Sequence, residues 1–125
     1  GSGFLGYLDG GRFERVCFCP GYARGLCFAG RYAIVGLSKL RRSRTFADLE
    51  LGENLAARGA EPRCGLLAVD LRTGEIAHWL RLDGVVEELY DVAALRGVRR
   101  PMALGLLTEE IQRTITIGDH QPLAV

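Results

Sequence analysis

The chain has 125 residues, 48% of them apolar, and a formal net charge of +1 at pH 7. That length admits one domain with a sizeable core. The balanced charge provides no global field to draw nucleic acid or an acidic membrane surface, and no apolar run reaches the roughly 18 residues of a membrane span.

No secretory signal is visible. The chain opens Gly1-Ser2-Gly3 with no initiator Met, which reads either as a trimmed chain or cloning remnant, or as a native turn before a strand. Residues 4–9 (FLGYLD) alternate and run into Asp9-Gly10-Gly11-Arg12, a hairpin turn in which Gly supplies positive φ. Residues 13–19 (FERVCFC) are the return strand, which Pro20-Gly21 stops. Residues 23–39 (ARGLCFAGRYAIVGLSK) then organise the chain: two apolar runs, 24–29 and 32–39, meet at Gly30-Arg31. They read as a hairpin covered on both faces.

Residues 40–63 change character, with many charges and few β-branched side chains. A basic run, Leu40-Arg41-Arg42-Ser43-Arg44, is followed at 48–58 by good helix formers, with Gly59 placed as a C-cap. This predicts a long irregular excursion carrying one or two helical turns. Strands follow at 65–71 and 75–82, joined by Arg72-Thr73-Gly74, with Ile76, His78 and Leu80 on one face and Ala77, Trp79 and Arg81 on the other. Further strands are expected at 89–95 and 101–107, a capped helical turn at Thr108, a β-like run at 113–117, and a loose tail over 118–125.

Cys17, Cys19, Cys27 and Cys64 are spaced C-x-C-x7-C-x36-C, which matches no zinc pattern. Cys17 and Cys19 share a strand face. They read as reduced, buried, small apolar residues, with a metal or redox role as the alternative. Reduced cysteines point to the cytoplasm.

The elements repeat approximately. Asp9 corresponds to Asp70, Gly21 to Gly84 and Tyr32 to Pro101. Each unit holds about four short antiparallel strands, the content of a propeller blade. The fold expected over residues 1–125 is therefore a single all-β unit of antiparallel, propeller-like blades. It amounts to about two blade equivalents of a ring that closes with about 4–8. Such an arc leaves edges uncovered. It is completed either by the rest of a longer chain or by self-association. The alternative is a closed β-sandwich or barrel.

Phe18-Cys19-Pro20-Gly21, Arg24-Gly25-Leu26, Val35-Gly36-Leu37-Ser38-Lys39, and the stretches AARGAEPRCG at 56–65, VDLRTGE at 69–75 and WLRLDGVVEELYDVA at 79–93 carry a resemblance. Together they resemble a bacterial family of conserved hypothetical proteins, a domain of unknown function that is propeller-like. The resemblance spans most of residues 6–117. It implies that the chain is the C-terminal part of a longer protein, and it brings no activity with it.

Chemistry has two candidate locations. Glu87, Glu88 and Asp91 enter what would be an inner strand, where carboxylates of a propeller channel can hold a divalent cation. Glu88 and Asp91 are the candidate metal ligands or acid/base pair, and calcium the cation; no other cofactor is expected. The alternative makes Asp91 a turn cap and the glutamates solvated or arginine-paired. Arg24, Lys39, Arg41 and Arg63, with Arg42 and Arg44, are candidate anion-binding residues if the excursion folds back. Residues 39–64 carry six basic and four acidic side chains, so a solvated loop is the competing reading. His78 reads as a half-buried strand residue. Ser38 lacks the G-x-S-x-G elbow, and no phosphate-cradling loop is present.

Two functions remain open: a non-enzymatic binding or assembly module of propeller type, or a metal-assisted, lactonase-like hydrolase or isomerase. Nucleic acid and membrane are not expected partners.

Overall fold

The hairpin signals become strands where Gly stands in the turns. The computed structural model describes residues 1–39 and 50–100, with the backbone at 116–117 and 121–122. Strands β1 (Phe4–Asp9) and β2 (Arg12–Phe18) form an antiparallel two-stranded sheet. Their loop places Gly10 at φ 53° and Gly11 at φ 83°, the positive-φ pair of a type I′ turn.

Four strands make the second sheet, in chain order: β3 (Tyr22–Ala29), β4 (Tyr32–Ser38), β5 (Gly65–Asp70) and β6 (Ile76–Arg81). Every pairing is antiparallel. The β5–β6 turn is built on Asp70. Its Oδ1 accepts from the Arg72 N–H at 3.0 Å, and its Oδ2 meets the Arg31 guanidinium at 3.1 Å. Between β4 and β5 runs the excursion, whose described part holds α1 (Glu50–Ala57). Gly59, at φ 56°, ends the helix: its N–H bonds to the Ala56 carbonyl, and the Ala60 N–H to the Leu55 carbonyl. That pair of bonds is a Schellman cap.

The two sheets meet face to face. Ala33, Val35 and Leu37 of β4, Leu67 and Val69 of β5, and Cys19 form the buried cluster, with Leu5, Val16 and Cys17 from the hairpin side packed on it. Helix α1 lies on the hairpin: the Asn54 amide donates to the Ser2 carbonyl, and the Arg58 guanidinium sits 4.5 Å from the Phe18 ring centre. Leu51 and Leu55 are buried.

Burial corrects the sequence reading of residues 23–39. Only β4 is covered on both sides. β3 is a sheet edge, with Leu26 47% and Phe28 57% exposed. β6 is the other edge and is exposed along its whole length. Among the described residues the sheet does not close on itself, which overturns the barrel alternative. Among the described residues the fold is all-β and antiparallel, with one short helix.

Two further corrections follow from register. Ile76 partners Val69 and Trp79 partners Leu67, while His78 partners Ala68; the register slips between Ala68 and Val69. This bulge puts Ile76 on the face of Trp79, whereas simple alternation groups it with His78. His78 is exposed rather than half-buried. The strand expected at 89–95 is absent. That stretch is anchored by a side chain, Ser38, instead of by a ladder.

Gly1–Ala94 and Leu95–Val125 form two separate compact units. In the second unit β7 (Thr116–Ile117) pairs antiparallel with β8 (Gln121–Pro122), so part of the expected loose tail is a strand. The expected strand at 101–107 and the turn at Thr108 lie outside the described residues.

Candidate functional site

Three stretches converge at one end of the four-stranded sheet because three loops end there. β4 ends at Ser38 and is followed by Lys39, β5 is entered through Arg63-Cys64, and residues 87–92 return across the sheet after β6. The Arg63 N–H bonds to the Pro20 carbonyl at 2.9 Å, and the Leu82 N–H to the Cys64 carbonyl at 2.9 Å. The Lys39 N–H bonds to the Glu87 carbonyl at 2.9 Å. Ser38 Oγ accepts from the Leu89 N–H at 2.8 Å and donates to the Leu89 carbonyl at 3.1 Å.

Small residues admit this return. A Cβ on Gly36 would meet the Arg24 carbonyl oxygen and, at 2.6 Å, Val92 Cγ2. Gly25, at φ 78°, faces the Asp91–Val92 backbone with its Cα–H, a Cβ there lying 2.7 Å from the Asp91 carbonyl carbon. Gly25 sits in a bulge of β3, between Ala23 and Leu26. Both glycines belong to the strings that carry the family resemblance, and their role is to let residues 87–92 lie down on β3 and β4.

The convergence mixes the two candidate groups. Lys39 and Glu87 are joined through their backbones, and Lys39, Glu87 and Glu88 all act on the Cys64 thiol. Burial pushes that thiol above its ordinary pKa, the Lys39 charge pulls it back, and Glu87 and Glu88 push it up. Asp91 Oδ1 accepts from the Val92 N–H at 2.8 Å, the turn contact of the competing reading. Arg24 lies with its guanidinium 4.8 Å from the Tyr22 ring centre. Arg63 is exposed and lines a cleft of about 280 Å³ with Glu61, Cys64, Arg81 and Asp83. Arg81 there is already paired with Asp83 at 3.1 Å. Arg41 lies outside the described residues. Among the described residues no three His, Cys, Asp or Glu side chains are grouped to hold a metal ion.

Ser38 is a clamp: its hydroxyl is used as donor and acceptor by one residue. Sequence spacing alone gives Cys64 no partner; its neighbours are Lys39, just past β4, and residues 87–88, far away in the chain.

A second cluster lies at the seam of the two sheets. Cys17 Sγ and Cys19 Sγ are 4.0 Å apart, and all four cysteines are free thiols. Cys17 is partly buried and Cys19 buried. The Cys19 S–H bonded to it lowers the Cys17 pKa, while Cys19 is held far above its ordinary value by that bond, by burial and by the charge on Cys17.

Among the described residues no helix is long and apolar enough to cross a membrane. The model of a domain of unknown function (DUF4915) matches residues 1–104. No curated protein matches, and no solved structure does. With over four-fifths of its length matched, and with the strings of the sheet end inside that span, the chain belongs to the family of the domain of unknown function DUF4915.

Proposed function

We propose that this chain is a non-enzymatic binding or assembly module of propeller type, an arc of blades that pairs with further copies of itself. One observation carries this reading: among the described residues neither edge strand of the four-stranded sheet, β3 or β6, has a strand on its outer side. Leu26 and Phe28 on β3, and Ile76, Trp79 and Leu80 on β6, are each more than 40% exposed. Burying such a side chain is worth about 1.5–3 kcal/mol, and an open strand edge is a template for pairing. The path of the chain supports the blade interpretation. A hairpin packs on a complete four-stranded sheet, and residues 87–92 then cross from the outer strand back to the inner pair. The other occupant of these margins is the remainder of a longer polypeptide. The free thiols fit a cytoplasmic setting.

Light scattering on a size-exclusion column tests this. A defined dimer or trimer supports it. A monomer at every concentration overturns self-association.

A second reading, a lactonase-like hydrolase or isomerase using calcium, draws on Glu87, Glu88 and Asp91 being held on one anchored stretch. Lys39, whose charge acts on the same Cys64 thiol as those of Glu87 and Glu88, opposes a cation there, so this reading comes second. Calcium titration separates the two: binding that is lost in Glu88→Gln and Asp91→Asn favours the enzyme.

A further inference from the structure

The Cys17–Cys19 pair has no part in the proposed assembly, yet it is built as a reactive unit. Same-face positions in and just beyond β2 bring the sulfurs to 4.0 Å. An S–S bond needs about 2.05 Å, so an approach of about 2 Å closes it. Cys19 lies just past the end of β2 and borders a cleft of about 280 Å³ with Leu5, Ala23, Leu26 and Val35. Cys17 is partly exposed and can meet a small reagent, whereas Cys19 is sheltered. This is the division between an attacking and a resolving thiol.

We propose that Cys17 and Cys19 are a redox-active dithiol that closes to an intramolecular disulfide by exchange with a low-molecular-weight disulfide such as glutathione disulfide. Cys17 gives up its proton to solvent and its thiolate attacks one sulfur of the reagent. The reagent's S–S bond breaks, one glutathione leaves as thiolate and is protonated, and a mixed disulfide stands on Cys17. Cys19 then loses its proton and attacks Cys17 Sγ, expelling the second glutathione thiolate, which is protonated in turn. The protein is oxidised by two electrons and the reagent is reduced to two thiols. The Cys19 S–H bond that favours thiolate at Cys17 supports the order of events. A disulfide across one intervening residue is strained, which places it among labile, reversible bonds rather than structural ones. It also sits on the seam: Cys19 belongs to the cluster that joins the two sheets, so closing the bond alters their packing.

Tryptic peptides read the outcome. Cleavage after Arg15 and Arg24 isolates Cys17 and Cys19 together, with Cys27 and Cys64 on other peptides. The reduced chain is incubated with glutathione disulfide, alkylated and mapped by mass spectrometry. The expected result is a 16–24 peptide lighter by two hydrogens and blocked to alkylation, restored by dithiothreitol. Cys19→Ser, or Cys19→Ala if the serine disturbs folding, accumulates a glutathione adduct on Cys17; Cys17→Ser leaves Cys19 unmodified. The proposal is overturned if wild type retains the adduct at Cys17, if oxidation maps only to Cys27 or Cys64, or if both thiols of the peptide stay alkylatable while a control dithiol is oxidised.

Discussion

Ser38 holds Leu89 by both of its hydrogen-bonding groups, 51 positions away in the chain: the Leu89 N–H donates to Ser38 Oγ at 2.8 Å, and the hydroxyl donates back to the Leu89 carbonyl at 3.1 Å. A stretch with no ladder partner is thereby fixed on β4, and Glu87, Glu88 and Asp91 are fixed with it. Ser38→Ala leaves that N–H and carbonyl without their partner, at a cost of about 1–3 kcal/mol. Urea denaturation measures it, and limited proteolysis should show new cleavage near residues 87–92. Unchanged stability and unchanged cleavage would remove the clamp.

Glycines distinguish packing from propensity. Gly36→Ala drives a methyl against the Arg24 carbonyl and Val92, and is expected to destabilise by about 1–3 kcal/mol. Gly52 lies exposed in α1, and a Cβ there would have no neighbour within 4 Å. Gly52→Ala should stabilise by about 0.5–1 kcal/mol, because alanine restricts the unfolded chain and favours helix. Thermal unfolding of the two variants should therefore move in opposite directions.

Trp79 is 66% exposed at the β6 edge. Trp79→Ser should change monomer stability by no more than about 0.5 kcal/mol while lowering the solution mass of any assembly. If the mass is unchanged and the assembly remains, β6 is not its interface.

The pH dependence of stability has a defined sign at Cys64. Burial raises its folded pKa, so its contribution is fully present below the unfolded thiol pKa and is lost as pH rises through the folded one. Stability should fall from about pH 8.5 upwards, and Cys64→Ala should make the decline shallower. Urea midpoints between neutral and alkaline pH compare the two, and parallel profiles would contradict the assignment.

Local chemistry was sufficient for the strand pairs up to Arg81. Gly10-Gly11 and Gly30-Arg31 demand tight turns, and alternating or continuous apolar runs beside them supply the strands, so β1 to β6 could be read from the sequence to within one or two residues. The short helix was readable too, because Gly59 marks its end. Tertiary structure alone decided which of two similar apolar strands is buried. β4 has β3 and β5 on its flanks, the hairpin on one face and residues 87–92 on the other, while among the described residues β3 has no strand on its outer side. It also decided the slip at β6 that moved Ile76 to the face of Trp79, the loss of the strand expected at 89–95, and the meeting of Lys39, Cys64, Glu87 and Glu88. The physical reason is range. Turn geometry and alternation act within a few residues, whereas burial and electrostatic neighbours are set by partners far away in the chain, such as Leu37 with Gly65 and Ser38 with Leu89, and the slip at β6 is set by its pairing with β5, which no local pattern encodes.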